Sequence, residues 1–136
     1  MKRIVSITII LMLAVTLFNV NAVNPKKVVV QKVEVYYFHF THRCVTCQAV
    51  ENETQKALPL LYPKLFKATK ITFTSVNLDE TESKILAEKC KAEGQSLLIV
   101  SGNKRIDLTD KAFMYAKNNP EKLKMEIKKA IDSLIK

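Results

Sequence analysis

The chain has 136 residues, 22 basic against 13 acidic side chains for a formal net charge of +9, two glycines and three cysteines. That size allows one domain with a core of its own, and three cysteines are too few for a scaffold held together by disulfides. The lysines are scattered or gathered towards the C-terminus with no aromatic residues among them, which argues against a nucleic-acid surface and for a solvated one.

Met1-Lys2-Arg3 is a short basic start, residues 4–18 are an apolar run, and Asn19-Val20-Asn21-Ala22 is a polar exit ending in a small residue. Signal peptidase reads that order, so residues 1–22 are expected to be a secretory signal, cut near Ala22. The mature chain would then be residues 23–136, a single domain carrying about +7, exported to the periplasm or cell envelope. No cysteine follows the run closely, so a lipid-modified N-terminus is not expected. The alternative is a retained anchor, but 15 apolar residues fall short of the roughly 20 that a span needs. Contact with a membrane is expected only through this segment, if it stays uncleaved.

Residues 28–30 (VVV) have the composition of a first edge strand, and residues 33–40 (VEVYYFHF) that of a central one. From Cys47 to Phe66, Val50, Thr54, Leu58, Leu61 and Leu65 recur at helical spacing. Pro59 should kink that helix, and Pro63 should end it or open a second short turn. Residues 70–78 (KITFTSVNL) read as the next strand. Asp79 with Glu82 three residues on resembles a capping box, opening a helix over residues 80–92 with Gly94 as its stop. Residues 96–100 and 104–108 flank the turn Ser101-Gly102-Asn103 and predict a hairpin. A short helix is expected over residues 110–117. Asn119 before Pro120 is an N-cap with proline in the first turn, and the last helix carries Leu123, Ile127, Ala130, Ile131 and Leu134 on one face. Two parallel strands joined by a helix, then a hairpin and a covering helix, make a small α/β sandwich.

Cys44 and Cys47 fall between the central strand and the long helix. Two intervening residues at a helix start let the sulfurs close a small ring. The free N–H groups and partial positive charge there favour a thiolate at Cys44. Arg43 adds a permanent positive charge beside it and His42 part of one, and both are expected to tune its acidity. On this reading Cys44 attacks a partner's disulfide, and Cys47 attacks the mixed disulfide to release the reduced partner.

VYYFHFTHRCVTC followed by a helix, with GQSLLIVSGNKRID as the later hairpin, resembles the thioredoxin-like superfamily over essentially the whole mature chain. More narrowly, the chain looks like small exported bacterial proteins of this fold that carry a nitroreductase-subunit (ArsF-type) label, from which no nitro-reducing activity is drawn. The resemblance implies a three-layer α/β/α sandwich with a mixed central sheet, and thiol–disulfide exchange or electron transfer with a protein thiol or disulfide as partner. It implies a monomer with no cofactor and no metal. Val45, Thr46, Gln95 and Ser96 would line the partner groove.

The chain departs from the family pattern at several positions. Gln95 stands where thioredoxins have a cis-proline, Arg43 replaces an aromatic residue, Val45-Thr46 replaces Gly-Pro, and Phe38 takes the place of a buried acid. A cis bond before a residue other than proline costs about 3 kcal/mol, so a trans bond is expected at this position.

Three other readings of the cysteines and histidines stand beside exchange. The pair could be a structural disulfide in a protein-binding module. Cys44, Cys47, His42 or His39, and Cys90 could together supply the four N/S ligands that zinc prefers. Cys90, four residues after Leu86 on an apolar stripe, reads as a small buried thiol. His39 reads as a hydrogen-bonded strand residue, and Tyr36 and Tyr37 as core.

Overall fold

The computed structural model describes residues 31–135. The expected signal, its cut near Ala22 and the strand at residues 28–30 lie outside the described residues. Four strands and five helices follow in order: β1 (Val33–His39), α1 (Val45–Leu61), α2 (Pro63–Lys67), β2 (Ile71–Asn77), α3 (Ser83–Cys90), β3 (Ser96–Ser101), β4 (Lys104–Asp107), α4 (Thr109–Tyr115) and α5 (Pro120–Leu134). No described helix is long and apolar enough to cross a membrane.

The sheet runs β2-β1-β3-β4. β1 lies parallel to β2, with Val33 beside Ile71 and His39 beside Asn77, and antiparallel to β3, with Phe38 opposite Ser96. β3 and β4 close the hairpin with Ser101 opposite Lys104, turning through Gly102 at φ +59°. β1 and β3 are therefore the two central strands and both are largely buried, as a run rich in β-branched and aromatic residues should be.

Alternation along β1 assigns its two faces. Val33, Val35 and Tyr37 point into a large core with Val50, Ala57 and Leu58 of α1, Ala112 of α4, and Leu123, Ile127 and Ile131 of α5. Phe38 points the other way, into a smaller core with Val76, Leu98, and Ala87 and Cys90 of α3. Helices on one face and α3 alone on the other give the three-layer α/β/α sandwich of the thioredoxin-like fold, with a mixed central sheet.

The last helix starts as its sequence directs. The Asn119 side chain accepts the N–H of Lys122 at 3.1 Å, Pro120 occupies the first turn, and all five residues of the expected apolar face are buried. Burying each of its leucine and isoleucine side chains stabilises the fold by roughly 2 kcal/mol.

Three boundaries differ from the sequence reading. α1 begins at Val45 rather than Cys47, because Cys44 itself caps it, and it runs through Pro59 to Leu61. It breaks at Tyr62 because Pro63 restricts the residue before it, and Pro63 opens α2. The capping box at Asp79 does not form: α3 starts only at Ser83, Glu82 makes no side-chain cap, and the Asp79 carboxylate is taken by the backbone N–H of Thr41 at 2.7 Å. α3 stops at Lys91 rather than Gly94. Lys91 takes the left-handed conformation (φ 52°, ψ 47°) and donates back to Ala87 and Glu88. Arg105 from β4 makes that ending possible. Its Nε donates to Cys90 O at 2.9 Å and its Nη2 to Lys91 O at 3.2 Å, satisfying carbonyls that the helix end leaves free.

Candidate redox site

β1 ends at His39, and the chain passes through residues 40–43 to the first turn of α1. This loop is pinned from the β2 side. Besides the Thr41–Asp79 bond, Asn77 Nδ2 donates to Thr41 Oγ1 at 3.0 Å, and Asn77 Oδ1 accepts from the Asp79 N–H at 3.1 Å. The same Thr41 hydrogen bonds hold the Asp79 carboxyl below its ordinary range, backbone first. The imidazole Nδ1 of His39 lies 2.9 Å from Phe40 O, and the ring is buried. A short connection tied at both ends is what a reactive pair needs if its first member is to stay exposed without wandering.

Cys44 is the N-cap residue of α1. Its backbone is extended (φ −74°, ψ 165°), its sulfur accepts the N–H of Cys47 at 3.2 Å, and its carbonyl accepts from Gln48 at 3.1 Å. The sulfur thus sits where helix N–H groups are unsatisfied and the partial charge is positive. No acidic side chain lies in the first turn to cancel that charge. Cys44 and Cys47 form a disulfide, with Cα atoms 5.1 Å apart. Cys44 is exposed, whereas Cys47 points into the fold and is 4% exposed. That asymmetry separates a sulfur a partner can reach from one it cannot.

Arg43 does not bring an isolated charge. Its guanidinium pairs with the carboxylate of Glu51, and both side chains are partly buried. Glu51 went unnoticed in the sequence, although its position one turn beyond Cys47 on α1 was a usable signal. Beneath this pair lies Tyr37, fully buried, whose hydroxyl finds no hydrogen-bond partner. Burial, with Glu51 adding to it and Arg43 opposing, pushes the Tyr37 phenol up to about 12. His42 is exposed on the loop, and its charge bears on Asp79.

Val45 is 69% exposed and Thr46 half-buried, so both present themselves beside the Cys44 sulfur. Gln95 and Ser96 arrive from the opposite side. Ser96 faces Phe38 in the ladder, which places Gln95 level with His39, the last residue of β1, at the sheet end where α1 begins. Gly94 (φ +138°) turns the chain, and Ser96 Oγ donates to Gly94 O at 3.1 Å, closing that turn. The Gln95 carboxamide reaches across so that Oε1 stands 3.4 Å from Cys47 Sγ. No cis peptide bond occurs among the described residues, so the bond before Gln95, Gly94–Gln95, is trans. A cleft of about 690 Å³ opens past Gln95 and Ser96 along Arg105, Asp107, Thr109 and Lys111.

Phe38 packs in the α3 core and offers no proton acceptor. Cys90 is free and buried on that same opposite face, and burial pushes its thiol up. Tyr36 lies against Phe38, with ring centroids 5.9 Å apart. Among the described residues no group of three or more His, Cys, Asp or Glu side chains is placed to hold a metal ion. The zinc set of Cys44, Cys47, a histidine and Cys90 is therefore not assembled.

No family model matches the chain. No curated protein matches it either. Among solved structures, one described as the structure of a malarial protein is similar, with a TM-score of 0.40 and 22% identity over 61% of this chain and 93% of that one. A likeness of that degree carries no functional argument, so the site must speak through its own chemistry.

Proposed function

We propose that this chain is an exported member of the thioredoxin-like superfamily, and that it exchanges its Cys44–Cys47 disulfide with the thiols or disulfides of a protein partner. One observation carries the reading: the pair caps the helix that follows the central strand, with one sulfur exposed at the helix N-terminus and the other buried behind it. In the reduced protein the helix end favours a thiolate at Cys44, which attacks a partner's disulfide and expels one partner thiolate. Cys47 then gives up its proton, bonds to the Cys44 sulfur and expels the second partner thiolate. The partner gains two electrons, and the Cys44–Cys47 pair loses them. The same steps run backwards oxidise a partner dithiol.

Val45, Thr46, Gln95 and Ser96 form the ground on which the partner's chain is read, and the helix end, flanked by His42 and the Glu51-paired Arg43, sets the acidity of Cys44. Export rests on the order of charged, apolar and small residues up to Ala22, and would put the pair in a compartment where disulfides persist.

The test is the reduction potential of the pair in the full chain, by equilibration against glutathione, together with partner capture by Cys47→Ser. A potential between roughly −120 and −270 mV, and a mixed disulfide held on Cys44, are expected. A potential below about −300 mV with no captured partner would identify a structural disulfide and end the exchange reading.

A further inference from the structure

The Gln95 carboxamide stands against the buried member of the pair. The Cys44 sulfur is engaged by the Cys47 N–H at the open side of the helix end, whereas Gln95 Oε1 stands 3.4 Å from the Cys47 sulfur on the buried side. Gln95 is itself held: the turn at Gly94 is closed by Ser96 Oγ, and Ser96 is locked into the ladder opposite Phe38. A carboxamide oxygen accepts a hydrogen bond but cannot take a proton at neutral pH. A thiol has a proton to offer it, while a disulfide or a thiolate does not.

We infer that Gln95 is a positioning residue for the resolving step, holding Cys47 as a neutral thiol and thereby favouring the dithiol over the disulfide; this rests on the exchange reading above. Resolution of a mixed disulfide moves the Cys47 proton to solvent, forms the Cys47–Cys44 bond and releases the partner's thiolate. Each Cys47 must break its bond to Gln95 before it attacks. The protein therefore resolves mixed disulfides slowly and leans towards being an oxidant. The charged groups on the elements around Cys47 do not supply a competing pull. Glu51, one turn along α1, is paired with Arg43, and His39 at the end of β1 has its Nδ1 against Phe40 O.

The experiment uses the full chain in two backgrounds. With Cys44→Ser, the acid dissociation of Cys47 is read from the pH profile of its alkylation by iodoacetamide, for Gln95, Gln95→Met and Gln95→Glu. With both cysteines present, the reduction potential of the same three proteins is measured. Methionine keeps the length without an oxygen acceptor, so Gln95→Met should raise the Cys47 dissociation constant about fivefold, the weight of one modest hydrogen bond. It should also shift the equilibrium towards the disulfide by a similar factor, about 20 mV to the negative side. Gln95→Glu keeps the oxygen and adds a negative charge, so its dissociation constant should fall to or below that of the unsubstituted chain. An unchanged or smaller dissociation constant in Gln95→Met overturns the inference; a decrease would mean that the amide N–H, not the oxygen, faces the sulfur. Because the alkylation profile needs no partner, it can fail or succeed whether or not the chain performs exchange.

Discussion

Two hydroxyls in the main core, Tyr37 OH on β1 and Thr54 Oγ1 on α1, are buried without a hydrogen-bond partner, and both residues are fully buried. Replacing Tyr37 by Phe removes one of them with little change of shape. An unpartnered hydroxyl inside a protein costs about 1–3 kcal/mol, because its bond to water is lost and not replaced. Against that gain stand the few van der Waals contacts of a single oxygen, each about 0.1–0.2 kcal/mol, so less than about 1 kcal/mol in all. Tyr37→Phe should therefore stabilise the fold by about 1 kcal/mol. For a domain of this size that raises Tm by about 4 °C. Thr54→Val, equally close in shape, should do the same.

Thermal and urea unfolding at neutral pH read the effect. Alkali supplies a second readout. With its phenol pushed up to about 12 from the ordinary 10, Tyr37 stabilises the fold only while protonated in both states. Its contribution is fully present below pH 10 and is lost as pH rises towards 12, and that part of the loss should vanish in Tyr37→Phe. If Tyr37→Phe instead destabilises by about 1 kcal/mol, the hydroxyl has a partner, most simply a buried water, and the reasoning fails. A double variant whose effect departs from the sum of the single ones would show the two hydroxyls sharing that water.

Two further outcomes concern the supports of the fold and loop. Arg105→Met should destabilise the chain by about 1–2 kcal/mol in urea unfolding, because two carbonyls at the end of α3 lose charge-assisted donors; an unchanged midpoint would show water serving them equally well. Asp79→Ala should speed amide exchange at Thr41 and leave exchange in α5 unchanged. In the unsubstituted chain the same loosening should come with acid: the Asp79 carboxyl is held below its ordinary range, so its tie to Thr41 is intact above an ordinary aspartate pKa of about 3.9 and is lost as pH falls through the lower folded value. Protection at Thr41 that survives either change would put the anchoring of the loop elsewhere.

The features legible in the sequence were those decided within a few residues of chain. β-branched and aromatic runs marked β1 and β2, the turn at Gly102 marked the hairpin, and Asn119-Pro120 with its apolar stripe marked α5 and the face it buries. The misread boundaries were decided by partners far away in sequence. Asp79 has the spacing of a helix cap, but Thr41, 38 residues earlier, offers its carboxylate a better donor. Gly94 looked like a stop, but Arg105 lets a lysine end the helix three residues sooner by taking up its last carbonyls. Cys44 and Cys47 were legible as a pair because their spacing is local. The Glu51 carboxylate lay within reach of such local reading, but the Gln95 oxygen on Cys47 did not, since it requires a second strand to arrive from 48 residues on.

Those two unanticipated contacts change the electrostatic account of the dithiol. Sequence alone offers Arg43 as a fixed positive charge next to Cys44, enough to make the thiol acidic. Paired with Glu51, it is a dipole of no net charge, and its field falls away faster than that of a lone guanidinium. What remains at Cys44 is the helix end, with its free N–H groups and no acidic residue in the first turn. The two sulfurs are thus pulled in opposite directions by different means. Backbone donors favour the thiolate at the exposed Cys44, and a side-chain acceptor favours the neutral thiol at the buried Cys47. Under the proposed exchange, the first attack becomes easy and the second hard, an asymmetry built from a helix terminus and one carboxamide rather than from the neighbouring charge.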